Sequence, residues 1–398
     1  MEVWTGVSQV SVVLYVCTLL WKRQQILDVL HRCDLTCAFL IGPLIGPLVA
    51  ALCCTESPDS YSGAVCGGCC CSVGLICIIA RKQKLLPVQN RAVLVTGCDS
   101  GFGQALVQQL SRMGLKVFAG VLDVNGVGAQ RLRELRRENL QLLQLDITDA
   151  AQVEAALQHV QTQVSDSGLW GLVNNAGVLQ CPVDAELQPL AAFRRCMDVN
   201  FLSAVHMCQL FLPLLRRAAG RIVNVSSLAA EVPMPMFGAY GASKAALKVV
   251  SEVMRQELAP WGVRVSVIQP AGFRTSTSDR FTDSVRRHAA QLLATVSAEA
   301  RADYGDSYIS SLSGGLAIMS RQAAADLSPV VDDMCDALLS ANPRALYAPG
   351  QMGWLLPFLH RTCSTTVFDA IISHLPKYTN QQPEVQRLLW TVGSLFKL

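Results

Sequence analysis

Two residues four positions apart, Tyr240 and Lys244, could together carry out acid–base chemistry. On a helix these positions lie one turn apart on the same face, so the Lys244 ammonium would lie beneath the Tyr240 hydroxyl and favour its phenolate. The charge would lower the pKa of the Tyr240 hydroxyl, which for tyrosine is ordinarily about 10 and too high for catalysis at neutral pH. Ser227, thirteen residues before the tyrosine, could hydrogen-bond a substrate oxygen while Tyr240 exchanges the proton. On its own, a Tyr four residues before a Lys is more often an ordinary helix residue followed by a lysine that is exposed to solvent.

A glycine-rich turn indicates where a phosphate would bind. The β-branched run 92–96 predicts a strand that opens into Gly97-Cys-Asp-Ser-Gly-Phe-Gly103, and 104–113 then has helical spacing. Glycine lets the backbone approach a phosphate, and the amino end of a helix attracts an anion. A strand, a glycine turn and a helix start therefore predict a nucleotide site.

The choice of nucleotide depends on Asp123. This residue ends a second predicted strand, 116–122, twenty residues after Gly103. A carboxylate there would hold the ribose 2′-hydroxyl of NAD and repel the 2′-phosphate of NADP. The glycine turn and the residues directly after Asp123 contain no Arg or Lys that would bind the phosphate, so the predicted cofactor is NAD. The alternative is that Asp123 only caps the next turn.

The remaining elements alternate in the same way, and each motif follows a strand. Further strands are predicted at 140–145, 171–173, 221–225 and 263–268, with helices at 150–164 and 190–217, the second broken or kinked near Asn200. Alternating strands and helices predict an α/β fold with a doubly wound parallel sheet of the Rossmann type. The ligand would lie at the carboxyl ends of its strands.

Composition divides the chain of 398 residues into three segments. A net charge of +3 with 16% charged residues gives no basic surface for nucleic acid, so none is expected as a partner. The 51% of hydrophobic residues is high for an ordinary soluble enzyme, and the excess lies at the start. We predict a membrane anchor over 1–84, a catalytic domain over 85–345 and an apolar extension over 346–398.

The predicted anchor contains two or three transmembrane helices. Residues 36–55 carry no charge over a length that crosses a bilayer, and 3–21 and 64–80 are shorter candidates. A secretory signal peptide is the alternative for the first, but Glu2 at its start favours a retained anchor. The basic residues after the flanking candidates predict a cytosolic catalytic domain. No metal site is predicted for the many cysteines here, because they lack His or acidic partners.

Several motifs together resemble one family, the classical short-chain dehydrogenases/reductases. The resemblance covers about residues 90–275 and rests on Thr96-Gly-x-x-x-Gly-x-Gly103, Asn174-Asn-Ala-Gly177, Asn200, Ser227 and Tyr240-x-x-x-Lys244. It implies a catalytic proton relay of Asn200, Ser227, Tyr240 and Lys244, in which Asn200 holds a water that reaches Lys244. It further implies cofactor contacts from Thr96, Gly97, Ser100, Gly101, Phe102, Gly103, Asp123, Asp146, Ile147, Asn174, Ala176, Gly177, Tyr240, Lys244, Pro270 and Thr275. The family usually has Pro-Gly where this chain has Pro270-Ala271. This difference leaves open how that loop contacts the nicotinamide.

The flanking sequence is similar to the membrane-anchored hydroxysteroid dehydrogenases, notably over 117–122, 168–175 and 220–227. This resemblance implies NAD-dependent oxidation of a 17β-hydroxysteroid such as testosterone or estradiol, with an 11β-hydroxysteroid or a retinol as alternative substrate. It also implies a location in the endoplasmic reticulum membrane and, by analogy, a homodimer. A non-catalytic NAD-binding membrane scaffold is the alternative from another class.

The carboxyl-terminal third carries weaker signals. In this family residues 281–319 would form a substrate lid, to which Tyr304 and Tyr308 would bring aromatic contacts; plain helix packing is the alternative. The apolar runs 354–359 and 367–372 would rest on a membrane or close the substrate pocket. Both are too interrupted to span a bilayer.

Overall fold

The computed structural model describes residues 85–180, 182–275, 296–312, 323–350 and 352–374. The predicted spans at 3–21, 36–55 and 64–80 lie outside the described residues, as does most of the predicted lid. The α/β body begins at Leu85, runs to Pro349 and resumes at Leu355.

Seven parallel strands form one sheet in the order β3-β2-β1-β4-β5-β6-β7. The chain moves outward from β1 to β3 and then returns to the other side of β1, so the order reverses between β1 and β4. This is the doubly wound arrangement expected from the sequence, and such a reversal leaves a crevice at the carboxyl ends of the strands. The strands are β1 (Ala92–Val95), β2 (Lys116–Val121), β3 (Leu140–Gln144), β4 (Gly171–Asn174), β5 (Arg221–Val225), β6 (Arg264–Ile268) and β7 (Leu346–Tyr347).

Helices cover both faces of the sheet. Their bounds are α1 (Gly101–Arg112), α2 (Val127–Arg133), α3 (Ala150–Val164), α4 (Leu190–Met197), α5 (Ser203–Arg217), α6 (Gly238–Glu257), α7 (Ala298–Tyr304), α8 (Ser328–Leu339), α9 (Leu355–Thr362) and α10 (Thr365–His374). A π-helix over Asp198–Leu202 joins α4 to α5, so the helix continues through Asn200 with a local change of hydrogen bonding where the sequence predicted a break or kink.

The strands are apolar on both faces because each face packs against helices. In β1, Val93 and Val95 face a core shared with α1 and α8, whereas Leu94 faces a core shared with α3 and α5. Burying each such side chain stabilises the fold by about 1.5–3 kcal/mol. The continuous apolar strands therefore come from burial on two sides, as parallel sheets require.

The sheet continues into the segment that the sequence assigned to the apolar extension. Strand β7 begins at Leu346, directly after the predicted boundary at 345, and pairs in parallel with β6. The Tyr347 side chain is fully buried, and its hydroxyl donates to Asp336 Oδ2 at 2.7 Å. Strand β7 therefore continues the sheet past residue 345.

Among the described residues, the continuous helix Leu190–Arg217 is long and apolar enough to span a membrane by length and composition. Met207, Phe211 and Leu215 on this helix are fully buried in the core beneath the sheet. Packing against the sheet therefore accounts for its apolar face.

Candidate active site

A cavity of about 660 Å³ lies at the carboxyl ends of the strands. Its volume falls in the range of pockets that hold small molecules and cofactors. The loops that follow β1, β2, β3, β4, β5 and β6 all contribute to its wall, as the predicted topology requires. Of the residues singled out from the sequence, those lining it are Gly97, Ser100, Gly101, Phe102, Asp123, Asp146, Ile147, Ala176, Gly177, Ser227, Tyr240, Lys244, Pro270 and Thr275.

The structure places four other predicted site residues behind that wall: Thr96, Gly103, Asn174 and Asn200. The Thr96 hydroxyl accepts hydrogen bonds from the backbone N–H groups of Asn175 and Ala176, at 3.1 and 3.0 Å. A Cβ atom at position 103 would lie 2.4 Å from the Gly97 carbonyl oxygen, so glycine is required for close packing. The Asn174 amide donates to Asn224 Oδ1 at 2.8 Å. The Thr96 hydroxyl therefore fixes the loop after β4, and the Asn174 amide joins β4 to β5.

The glycine turn fits a phosphate group. Gly97 and Gly101 adopt φ values of +68° and +59°, in the left-handed region that favours glycine. A Cβ atom at position 101 would lie 3.2 Å from the Thr275 side chain and would narrow the cavity there. Ser100 precedes α1 and makes no side-chain cap, which leaves the amino end of the helix directed at the cavity. That end is the anion site of dinucleotide-binding folds.

Carboxylates surround the neighbouring end of the cavity, which we call the adenosine end and define by Asp99, Asp123 and Asp146. Asp99 accepts hydrogen bonds from the backbone N–H groups of Leu122, at 2.9 Å, and Asp123, at 3.4 Å. Asp123 Oδ1 also accepts from the Asn125 backbone at 2.9 Å, so the turn-capping role is present together with the cavity position. Asp99 was not predicted as a site residue, although its position inside the glycine turn was a signal for it.

The opposite end of the cavity, the catalytic end, contains Ser227, Tyr240 and Lys244. The Lys244 Nζ atom lies 5.9 Å from the Tyr240 ring centroid and donates to the Val225 carbonyl at 2.8 Å. Lys244 is 4% exposed, and burial lowers its pKa to about 8. The two residues lie one turn apart on α6, as their spacing predicted, with the ammonium near the Tyr240 ring.

The expected direction of the Tyr240 pKa is not observed. Burial raises the pKa of Tyr240, a hydrogen bond with Ser227 opposes the rise, and the nearby Cys196 thiol adds to it. The physical reason is that burial lowers the Lys244 pKa to about 8, below that of Tyr240, so the lysine is already neutral at the pH where this tyrosine ionises. Ser227, not Lys244, is the residue that lowers the Tyr240 pKa in this structure.

Asn200 lies in the π-helix and faces the catalytic end from behind. Its Oδ1 accepts from the Val178 backbone at 2.8 Å, and its Nδ2 donates to the Val178 carbonyl at 2.9 Å and to Ser243 Oγ at 3.0 Å. A Cβ atom at position 177 would lie 3.1 Å from Asn200 Oδ1 and 3.2 Å from Lys244 Nζ. The two side chains therefore approach one another around Gly177, as a relay between them requires.

A buried polar network that the sequence analysis missed ties α6 to β5. The Ser226 hydroxyl donates to the Lys244 carbonyl at 2.9 Å, and the Asn224 amide donates to Ser251 Oγ at 2.8 Å. Asn224, Ser226 and Ser251 are each 3% exposed or less. Their signal was present, since polar residues interrupt an otherwise apolar strand and helix face. These hydrogen bonds join α6, which carries Lys244, to β5 and to the residue directly before Ser227.

Ala271 fits its loop without strain. The Ala271 N–H donates to the Pro349 carbonyl at 3.0 Å, and the Leu228 N–H donates to the Pro270 carbonyl at 2.9 Å. Ala271 is not among the described residues with positive φ, so a methyl group there costs nothing in backbone conformation. The departure from Pro-Gly therefore leaves this loop intact.

The cavity wall beside the catalytic end is apolar, and the residues that form it were not predicted from the sequence. Leu179, Leu228, Met234 and Phe237 line it, and the basic side chains among all described lining residues are Arg195 and Lys244. The predicted aromatic residues of the lid are not part of this wall. Tyr304 and Tyr308 instead pack on another loop, where their hydroxyls donate to Glu186 and Asp184 at 3.2 and 2.7 Å. For the described part of the lid, the packing alternative is therefore the one observed.

Fold and site together define an oxidoreductase that binds a nicotinamide dinucleotide at the switch point of a doubly wound sheet. The model of one family, described as short chain dehydrogenase, matches residues 91–285. The chain belongs to the short-chain dehydrogenase family, as its motifs predicted.

Two curated relatives and one solved structure set this membership in context. The chain is 50% identical over 283 residues to 11-beta-hydroxysteroid dehydrogenase type 2 of Ovis aries, an alignment covering 71% of this chain and 66% of that protein. It is 39% identical over 341 residues to estradiol 17-beta-dehydrogenase 2 of Mus musculus, covering 80% and 89%. A short chain dehydrogenase from Burkholderia cenocepacia J2315, solved in complex with NADP, shares the fold, with a TM-score of 0.53, 23% identity and coverage of 73% and 100%.

Proposed function

We propose that this protein oxidises a hydroxysteroid to the ketosteroid with NAD+ as the hydride acceptor. The observation that carries the proposal is the placement of Ser227, Tyr240 and Lys244 together at the apolar end of one cavity. A polar alcohol on a hydrophobic skeleton matches such a site, because the skeleton finds apolar contacts and its oxygen finds two hydroxyls. The relatives named for hydroxysteroids support this substrate class.

The adenosine end supports NAD over NADP. Asp123 would hold the ribose diol, and the carboxylates of Asp99 and Asp146 nearby would repel a 2′-phosphate. The open amino end of α1 would receive the pyrophosphate, and Thr275 would contact the nicotinamide amide. When bound, the cofactor supplies the acceptor for the hydride that leaves the carbinol carbon.

The residues of the chain would handle the proton. The substrate oxygen would lie between the Ser227 and Tyr240 hydroxyls, and Tyr240 in its phenolate form would take the hydroxyl proton. Lys244 would hold the nicotinamide ribose. Asn200 would complete the relay through a water that reaches Lys244.

Two positions on the steroid are candidates. The 17β-hydroxyl is the first, and the long alignment with the mouse relative, 89% of its length, favours it. The 11β-hydroxyl is the second, favoured by the higher identity of 50% to the sheep relative. A retinol remains the candidate outside the steroids, and a non-catalytic NAD-binding scaffold the candidate outside enzymes.

The proposal also covers the membrane location and the oligomeric state of the enzyme. Residues 1–84 would anchor it in the endoplasmic reticulum membrane with the catalytic domain in the cytosol, and residues beyond β7 would form an apolar extension. A homodimer would use the helices around Asn200 and Tyr240, where Leu202, Val249 and Val253 are 52%, 60% and 44% exposed. The charge-free run 36–55 supports the anchor.

The test is oxidation by membranes that contain the full chain. NAD+ and NADP+ are compared on testosterone, estradiol, cortisol and all-trans-retinol. Turnover of the first two with NAD+ supports the 17β position, and turnover of cortisol transfers the assignment to the 11β position. Retinol turnover alone replaces the steroid, and silence on all four substrates contradicts the enzyme proposal.

A further inference from the structure

A buried carboxylate joins three parts of the protein beside Ser227. Glu231 follows Ser227 by four residues, and its side chain is only 10% exposed. Its Oε2 accepts from Gln269 Nε2 at 3.2 Å, and its Oε1 lies 3.2 Å from Arg361 Nη1. Glu231 belongs to the loop after β5, Gln269 to the loop after β6, and Arg361 to α9.

The position of the Gln269 side chain depends on its hydrogen bond to Glu231. Its side chain is fully buried directly before Pro270, and its Oε1 has no hydrogen-bond partner among the described residues. Within the described part of the chain, the Gln269 side chain is therefore held by its hydrogen bond to Glu231. An unpaired polar group at such a depth is unfavourable, which favours the hydrogen bond between Gln269 and Glu231.

Arg361 supplies the positive charge that Glu231 needs. Its side chain is 59% exposed, so it gives up little hydration to pair with the buried carboxylate. An apolar cluster of Leu228 and Val232 with Leu356 and Phe368 packs next to the ion pair. Helix α9 therefore contacts the loop after Ser227 through both charge and apolar packing.

We infer that Glu231 is a positioning residue through which helix α9 sets the placement of Ser227 and of the loop behind it. This inference rests on the proposed role of Ser227 in holding the substrate oxygen. Leu228, Met234 and Phe237 in the same loop line the cavity, so a displaced loop changes the substrate wall together with the Ser227 hydroxyl. The adenosine end is formed by other loops and stays as it is.

The test replaces Arg361 in the full chain and compares it with a matched arginine. Arg361→Met removes the charge, and Arg361→Lys keeps it. Arg344→Met is the control, because Arg344 is 46% exposed and pairs at 3.1 Å with Asp333, a carboxylate that is 3% exposed, away from the cavity. The readouts are KM for the steroid that the unmodified chain oxidises, KM for NAD+, and deuterium uptake in 227–237.

Arg361→Met is expected to raise the steroid KM about tenfold, leave the NAD+ KM within about twofold, and speed deuterium uptake in 227–237. Arg361→Lys should restore the steroid KM to within about twofold. Arg344→Met should lower thermal stability without either change. Equal effects of Arg361→Met and Arg344→Met, or unchanged uptake in 227–237, overturn the inference. Because deuterium uptake needs no substrate, it separates failure of this inference from failure of the proposed function.

Discussion

The two ends of the cavity are built by different physical means. At the adenosine end, the backbone of the glycine turn and partly exposed carboxylates such as Asp123 form the surface. At the catalytic end, Lys244 and Asn200 are 4% and 1% exposed and depend on hydrogen bonds from neighbouring elements. A surface of backbone groups and solvated acids tolerates small changes, whereas buried polar side chains lose function when one partner moves. We therefore expect the largest mutational effects at the catalytic end.

The largest effect is expected for Tyr240→Phe. This change removes the proton acceptor but keeps the ring, so oxidation should fall by about a thousandfold or more. Binding of NAD+, measured by calorimetry, should change less than about threefold, because the adenosine end is untouched. A variant that keeps most of its activity would contradict the assignment of Tyr240.

A change at the adenosine end should alter selectivity more than rate. Asp123→Asn removes one negative charge from the ribose site, and the ratio of kcat/KM for NAD+ over NADP+ should fall about tenfold or more. Asp149→Asn is the matched control, because Asp149 is an acid of a neighbouring loop that is not among the cavity-lining residues. An unchanged ratio in Asp123→Asn would assign this carboxylate to the turn cap alone.

The buried charge of Lys244 should make stability depend on pH. Its pKa is about 8 in the fold against 10.5 ordinarily, so the unfolded chain binds more protons between these values and stability rises across that window. Below pH 8 the folded chain carries a desolvated ammonium. Lys244→Met, which removes that ammonium, should raise the thermal midpoint of the cofactor-free chain relative to the unmodified chain at pH 7, and the gain should shrink as pH rises toward 10.5. A constant difference across this window would show that the lysine is solvated.

The smallest effect is expected for a helix cap away from the cavity. Asp149 Oδ1 accepts from the backbone N–H groups of Ala151 and Gln152, at 2.9 and 3.2 Å, at the start of α3. Asp149→Ala should lower the free energy of unfolding slightly and leave both KM values unchanged. Chemical denaturation at pH 7 measures this cost, and a change in KM would show that α3 reaches the site.

Much of the site was predictable because its signals are local. The glycine spacing, Asp123 and the Tyr240–Lys244 pair each lie within one strand, turn or helix, and the doubly wound topology brings strand ends to one edge. The direction of the Tyr240 pKa was not predictable, since it depends on burial by residues far along the chain. Nor was the contact of Arg361 with Glu231, which are separated by 130 positions.

The sequence by itself determined the order of the elements, the family and the candidate site residues, because periodicity and short spacings encode them directly. Tertiary structure alone decided which of those residues face the cavity and which lie behind its wall, as the positions of Thr96 and Asn174 show. It also decided that β7 belongs to the sheet and that α9 contacts the Ser227 loop. The physical reason is that burial and long-range pairing depend on residues from distant parts of the chain. A local sequence pattern does not identify those residues.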